Sequence, residues 1–178
     1  MVVIIAEGKT DIEFLTDFIV DELNIKREKF ETKDFKGKNN IFKLDCKIYD
    51  EIENELDIID SILITVDADD PKDPSPIRGY NETEVKLKEL IEDLDFNIPI
   101  DYYIFCDDNK EGYLESFLLS ILENEQQECI KSFRECYKYD LKDKFTYNTF
   151  YKQKEYPFDF SHPNFNELKQ KLKKLFEE

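Results

Sequence analysis

Residues Val2 to Ala6 form an unbroken apolar run rich in β-branched side chains. Such a run predicts a strand buried on both faces. Glu7-Gly8-Lys9-Thr10 turns the chain, and Thr10 or Asp11 is placed to cap a helix carrying Ile12, Leu15, Ile19 and Leu23 on one side. Lys29 to Phe35 alternates weakly and reads as a second strand, followed by a Gly37-Lys38-Asn39-Asn40 turn. Ile41, Leu44, Ile48, Ile52 and Leu56 then recur at three- and four-residue intervals, which predicts one continuous helix. Ile62 to Val66 is a third apolar strand, with Asp67-Ala68-Asp69-Asp70 at its end and a proline-rich loop from Pro71 to Gly79. A helix over Thr83 to Leu94 and a strand over Ile100 to Cys106 complete the pattern.

Hydrophobic strands alternating with amphipathic helices specify an α/β fold: a four-stranded, mainly parallel sheet with helices on both faces. Residues 1–122 are read as this domain. Residues 123–178 are read as a helical extension packed on it, including helices over Gln126 to Tyr137 and Asn164 to Phe176. Sheets of this kind place ligands beyond the carboxyl ends of their strands. Acidic residues stand at three of those ends: Glu7, then Asp67 and Asp69, then Asp107 and Asp108.

Composition narrows the function. The chain has 178 residues, 40% of them hydrophobic, enough for one sizeable core. Its formal net charge of −17 repels a phosphate backbone at long range. A nucleic-acid substrate therefore requires a local basic patch, a bound metal or a basic partner. The four cysteines form no CxxC pair, and His162 is the only histidine, so a structural zinc site is not expected. Cys129 and Cys136, about two helical turns apart, are expected as buried free thiols. MVVIIAEGKTD turns polar too early for a signal peptide, and no apolar stretch approaches a membrane span, so the expected location is the cytoplasm.

Two aspartates at i and i+2 just past a strand can reach one hard cation, and a glutamate on a neighbouring strand can complete the site or move a proton. The residues in question resemble a known family. Val3-Ile-Ile-Ala-Glu7-Gly8 is similar to the first TOPRIM motif, a strand ending in Glu-Gly. Ile64-Thr-Val-Asp67-Ala-Asp69 is similar to the second, a strand ending in Asp-x-Asp. The likeness covers roughly residues 1–122 and extends to small stand-alone TOPRIM-like proteins and overcoming-lysogenization-defect nucleases. It implies that Glu7 is a general acid/base or metal ligand, and that Asp67 and Asp69 hold Mg²⁺ or Mn²⁺. Asp11 and Glu115 match further acidic positions of the nuclease branch. Lys9 is the candidate cation for transition-state charge. The chain lacks the zinc-ribbon cysteines of primases and the large domains of topoisomerases.

Gly8-Lys9-Thr10 does not make a P-loop, because Val3 stands where the leading glycine belongs. An aspartyl-phosphate phosphatase would carry its nucleophile after the first strand rather than the third. The aromatic, lysine-rich stretch around Lys142, Lys144, Lys152 and Lys154 is the candidate nucleic-acid contact. Two functions follow: a metal-dependent nuclease, or a non-catalytic TOPRIM-like module that works with a partner protein or a second copy of the chain.

Overall fold

A computed structural model describes residues 1–137 and 159–177. Four strands run parallel in one sheet: β1 (Val2–Ala6), β2 (Phe30–Asp34), β3 (Ser61–Asp67) and β4 (Ile100–Phe105), in the spatial order β2-β1-β3-β4. The expected α/β architecture is therefore present, and the weak second strand is real. Alternate residues of β1, β3 and β4 feed two cores. Val2, Ile4, Leu63, Tyr103 and Phe105 face α1 (Lys9–Asp17), α5 (Leu114–Ser120) and the last helix, α7 (Asn166–Glu177). Val3, Ile5, Ile62, Ile64 and Ile104 face α2 (Lys38–Ile41), α3 (Lys47–Asn54) and α4 (Tyr80–Leu94). Burial on both faces is why β1 and β3 read as continuous apolar runs.

Helix α7 belongs to the first core through Phe165, Leu168, Leu172 and Leu175, each removed from water. Each such side chain contributes roughly 1.5–3 kcal/mol of burial free energy. Phe14 of α1 packs on Phe18, Phe105, Phe160 and Phe165, tying α1, β4 and the C-terminal segment together. Lys171 adds a bond to Asp101 at 2.7 Å and lies over the Tyr102 ring. Among the described residues no helix is long and apolar enough to cross a membrane.

Local differences from the sequence pattern have physical causes. The helix expected from Ile41 to Leu56 is broken into α2 and α3. Tyr49, rather than Ile48, takes the core position, its ring tilted against Phe35 with centroids 4.9 Å apart and its hydroxyl donating to the Ile41 carbonyl at 2.6 Å, while Leu44 is exposed. The residues read as a Gly37–Asn40 turn open α2 instead. Gly8, not Thr10 or Asp11, is the N-cap of α1, whose path continues as a π-turn over Phe18–Glu22. Cys129 and Cys136 on α6 (Asn124–Tyr137) are exposed, not buried. The half-buried Ile130 marks the packed side of that helix, one residue and about 100° round from Cys129.

Candidate functional site

The topology supplies a crevice. From β1 the chain moves outward to β2, then returns to lay β3 on the other side of β1. The helices after β1 and β3 cover opposite faces. The carboxyl ends of β1 and β3 thus flank the point where strand order reverses, the place at which parallel sheets bind ligands. Glu7 follows directly on β1, and Asp67 is the last residue of β3. They touch: the Asp67 N–H donates to Glu7 Oε1 at 2.8 Å. Asp67 Oδ1 in turn accepts from the Leu114 N–H at 2.8 Å, at the start of α5.

Burial is the main influence on both carboxyls. Glu7 is pushed up to about 8, chiefly by desolvation and further by the charges of Asp69 and Asp11; the Asp67 amide and Lys38 oppose the rise. Asp67 is held well above the usual carboxylate range by burial, then by Glu7, Asp11 and Glu115. Asp11 is half-buried in the first turn of α1, and Glu115 is 8% exposed on α5. The acidic residues singled out from the sequence, Glu7, Asp11, Asp67, Asp69 and Glu115, therefore share one electrostatic neighbourhood.

Asp69 acts on Glu7 through space, but its carboxylate is paired with a lysine. Its φ of 64° is a left-handed conformation that aspartate tolerates better than most residues. A two-way backbone bridge to Gly112 holds it, at 2.8 and 3.3 Å. The Asp69 carboxylate then meets the ammonium of Lys38 at 2.8 Å. Lys38 is only 6% exposed. It also donates to the Asp67 carbonyl at 2.6 Å and to Thr83 Oγ1 at 3.0 Å, with the Ala68 carbonyl at 3.4 Å. No three Asp, Glu, His or Cys side chains among the described residues stand together as a ready-made cation cage.

Lys38 is the functional residue that sequence reading passed over. Its only signal was a lysine beside a glycine in a polar turn. Lys9, by contrast, is exposed at the first residue of α1. Asp107 closes its own turn through the N–H groups of Asn109 and Glu111, and Asp108 accepts from Asn164 at 3.0 Å, so both anchor loops. His162 likewise caps a short 3₁₀ turn. Lys142, Lys144, Lys152 and Lys154 lie outside the described residues.

Beside the Asp69–Gly112 bridge lies a groove of about 540 Å³. Its lining carries Lys131 and Arg134 of α6 together with the acids Asp70, Asp107, Glu111 and Glu135. Gly112 sits at the junction with a φ of 89°, and a Cβ there would come 2.6 Å from Ser116 Oγ. Gly112→Ala is expected to cost about 2 kcal/mol, from backbone strain and the displaced Ser116. Urea unfolding checks this; a loss below a few tenths of a kcal/mol contradicts it.

The raised Glu7 carboxyl has a pH signature. Unfolded, the group ionises near 4.5; folded, near 8. The folded state therefore binds the extra proton between these values, and stability falls as pH rises from 4.5 to 8, then levels. Glu7→Gln removes that dependence. In metal-free buffer its melting temperature should exceed that of the wild type by on the order of 10 °C at pH 8, with little difference at pH 4.5. Equal gaps at both pH values refute the assignment.

Glu7 and Asp67 are the residues that could take a divalent cation. They offer hard oxygens, and the repulsion between them and the nearby Asp11 under burial is what such an ion would relieve. Comparison with known proteins places the chain in a family. Residues 1–157 match the family described as protein of unknown function (DUF3226), and the chain belongs to it. No curated protein and no solved structure matches it significantly.

Proposed function

We propose that this member of the DUF3226 family is a TOPRIM-related phosphodiesterase that cleaves nucleic acid with Mg²⁺ or Mn²⁺. One observation carries the reading: two buried carboxylates, Glu7 and Asp67, meet at the switch point of a parallel sheet with far more negative charge around them than Lys38 alone offsets. Glu7 and Asp67 would hold the ion, with Asp11 and Glu115 adding negative field. When bound, the ion supplies Lewis-acid polarisation of a phosphoryl oxygen and of a water. Glu7 Oε1 is committed to the Asp67 N–H. Its other oxygen is the atom that would face the ion, and through a water on that ion Glu7 would take a proton from a nucleophile or return one to a leaving oxygen. Leu114 N–H fixes the Asp67 carboxylate. The adjoining groove offers Lys131 and Arg134 to a flanking phosphate, but Asp70, Asp107, Glu111 and Glu135 line it too, so a phosphate there would need the bound ion to offset them. The chain's four free thiols suit a reducing cytoplasm. The test is incubation with labelled single- and double-stranded DNA and RNA, with Mg²⁺, with Mn²⁺ and with chelator; cleavage equal in all three conditions refutes metal dependence, and no cleavage of any substrate refutes the enzyme reading.

A second reading, a non-catalytic module acting through a partner protein or a second copy, is favoured by one observation. Asp69, half of the Asp-x-Asp motif, is already engaged by Lys38. The net charge of −17 suits a basic partner. Absence of Mg²⁺ and Mn²⁺ binding at millimolar concentration would select this reading.

A further inference from the structure

The ammonium of Lys38 is surrounded as a metal ion would be. Its oxygen neighbours are the carbonyls of Asp67 and Ala68, the carboxylate of Asp69 and the hydroxyl of Thr83, at 2.6, 3.4, 2.8 and 3.0 Å. An ammonium has three protons to donate, so this shell is saturated. The group is delivered from outside the motif. Gly37, with a φ of 121°, donates its N–H to the Glu7 carbonyl at 2.6 Å and so anchors the start of α2 to the sheet rim. Lys38 follows at once and reaches under the Asp67–Asp69 turn into the second core, where Thr83 is fully buried. A buried lysine is costly unless paired, and here each donor has a partner.

We propose that Lys38 is a built-in monovalent cation standing in for a second metal, so that the site takes one divalent ion, on the Glu7–Asp67 side, and Asp69 is a ligand of Lys38 and not of the metal. This rests on the metal-site reading above. A dication placed on Asp69 would have to expel the ammonium from four oxygens or lie beside it against like-charge repulsion. The Glu7 and Asp67 carboxylates are held instead by backbone N–H groups, each on a single carboxylate oxygen, and Glu7 feels the Lys38 ammonium only through space. Lys38 is on this account a positioning residue. It fixes the backbone of the Asp67–Asp69 turn and neutralises the one acid the metal does not reach.

Mn²⁺ titration by calorimetry and by electron paramagnetic resonance tests the count on the full chain. The wild type should bind one Mn²⁺. Asp69→Asn should keep it within about tenfold in affinity, whereas Asp67→Asn should weaken it by more than about 100-fold. In parallel, a slowly exchanging ¹⁵N-ammonium signal, assigned by its loss in Lys38→Gln, should persist when the wild type is saturated with Mg²⁺. This readout is taken on the wild type and needs no activity. Two Mn²⁺ per chain, loss of binding in Asp69→Asn equal to that in Asp67→Asn, or disappearance of the ammonium signal with Mg²⁺ overturns the proposal while leaving the metal site standing. Failure of the wild type to bind Mn²⁺ overturns the metal reading and this proposal with it.

Discussion

Asp67→Asn is expected to lower divalent-dependent cleavage by roughly 10³-fold or more, the scale on which losing a group that acts directly on transition-state charge is read. The substitution is chosen for its shape. Asparagine keeps an oxygen for the Leu114 N–H that holds Asp67 Oδ1 at 2.8 Å. The backbone N–H that donates to Glu7 is untouched. What is lost is one negative charge at the switch point, next to Glu7, Asp11 and Glu115. In the metal-free protein that charge is unfavourable, because burial and like charges hold the Asp67 carboxyl well above its ordinary range. The variant should therefore melt no lower than the wild type at pH 8 while cleaving far more slowly. This pairing separates a lost ligand from a damaged fold. Cleavage retained within tenfold, by a protein that still melts cooperatively, would sink the assignment of Asp67.

Lys38→Met is expected to destabilise the protein by about 3–5 kcal/mol, lowering the melting temperature by on the order of 10 °C. Methionine fills a similar volume but donates nothing. The Asp69 carboxylate then loses its partner in a half-buried site, and the Asp67 carbonyl and Thr83 hydroxyl lose a donor. Adding Asp69→Asn removes the stranded charge, so the double variant should recover about 1–3 kcal/mol relative to additive losses. Urea unfolding of the four proteins, with the slope against denaturant held constant, measures the coupling. A single-variant loss under 1 kcal/mol, or no coupling, would show that the ion pair does not hold the Asp67–Asp69 turn.

The contrast between Asp67 and Lys38 explains what could be read before the structure was known. β1 and β3 are central, covered on both faces, and their composition records that burial directly. A polar residue ending such a strand has a known position at the rim, so Glu7 and Asp67 were legible as neighbours from strand order alone. Asp69 was legible as a residue but not in its direction. Its left-handed φ and its bridge to Gly112 turn the carboxylate off the line that an i, i+2 spacing suggests. The broken helix after Ile41 escaped for a related reason. Tyr49 and Ile48 both satisfy the apolar pattern, and the choice between them is made by Phe35 and the Ile41 carbonyl.

The apolar runs and their punctuation specify the strands, the alternation with helices and the acids at the strand ends, because those features depend on residues near in sequence and on burial common to a whole element. Pairing at the site depends on something else. Lys38 meets Asp69 from 31 residues away and Thr83 from 45. That meeting exists only because β2 packs on one side of β1, β3 on the other, and Gly37 ties α2 to the rim between them. The chain's own pattern therefore placed a carboxylate site at the β1–β3 rim. The three-dimensional packing decided that one of its acids already holds a cation, since long-range approach is set by how elements dock and leaves no periodic trace along the chain.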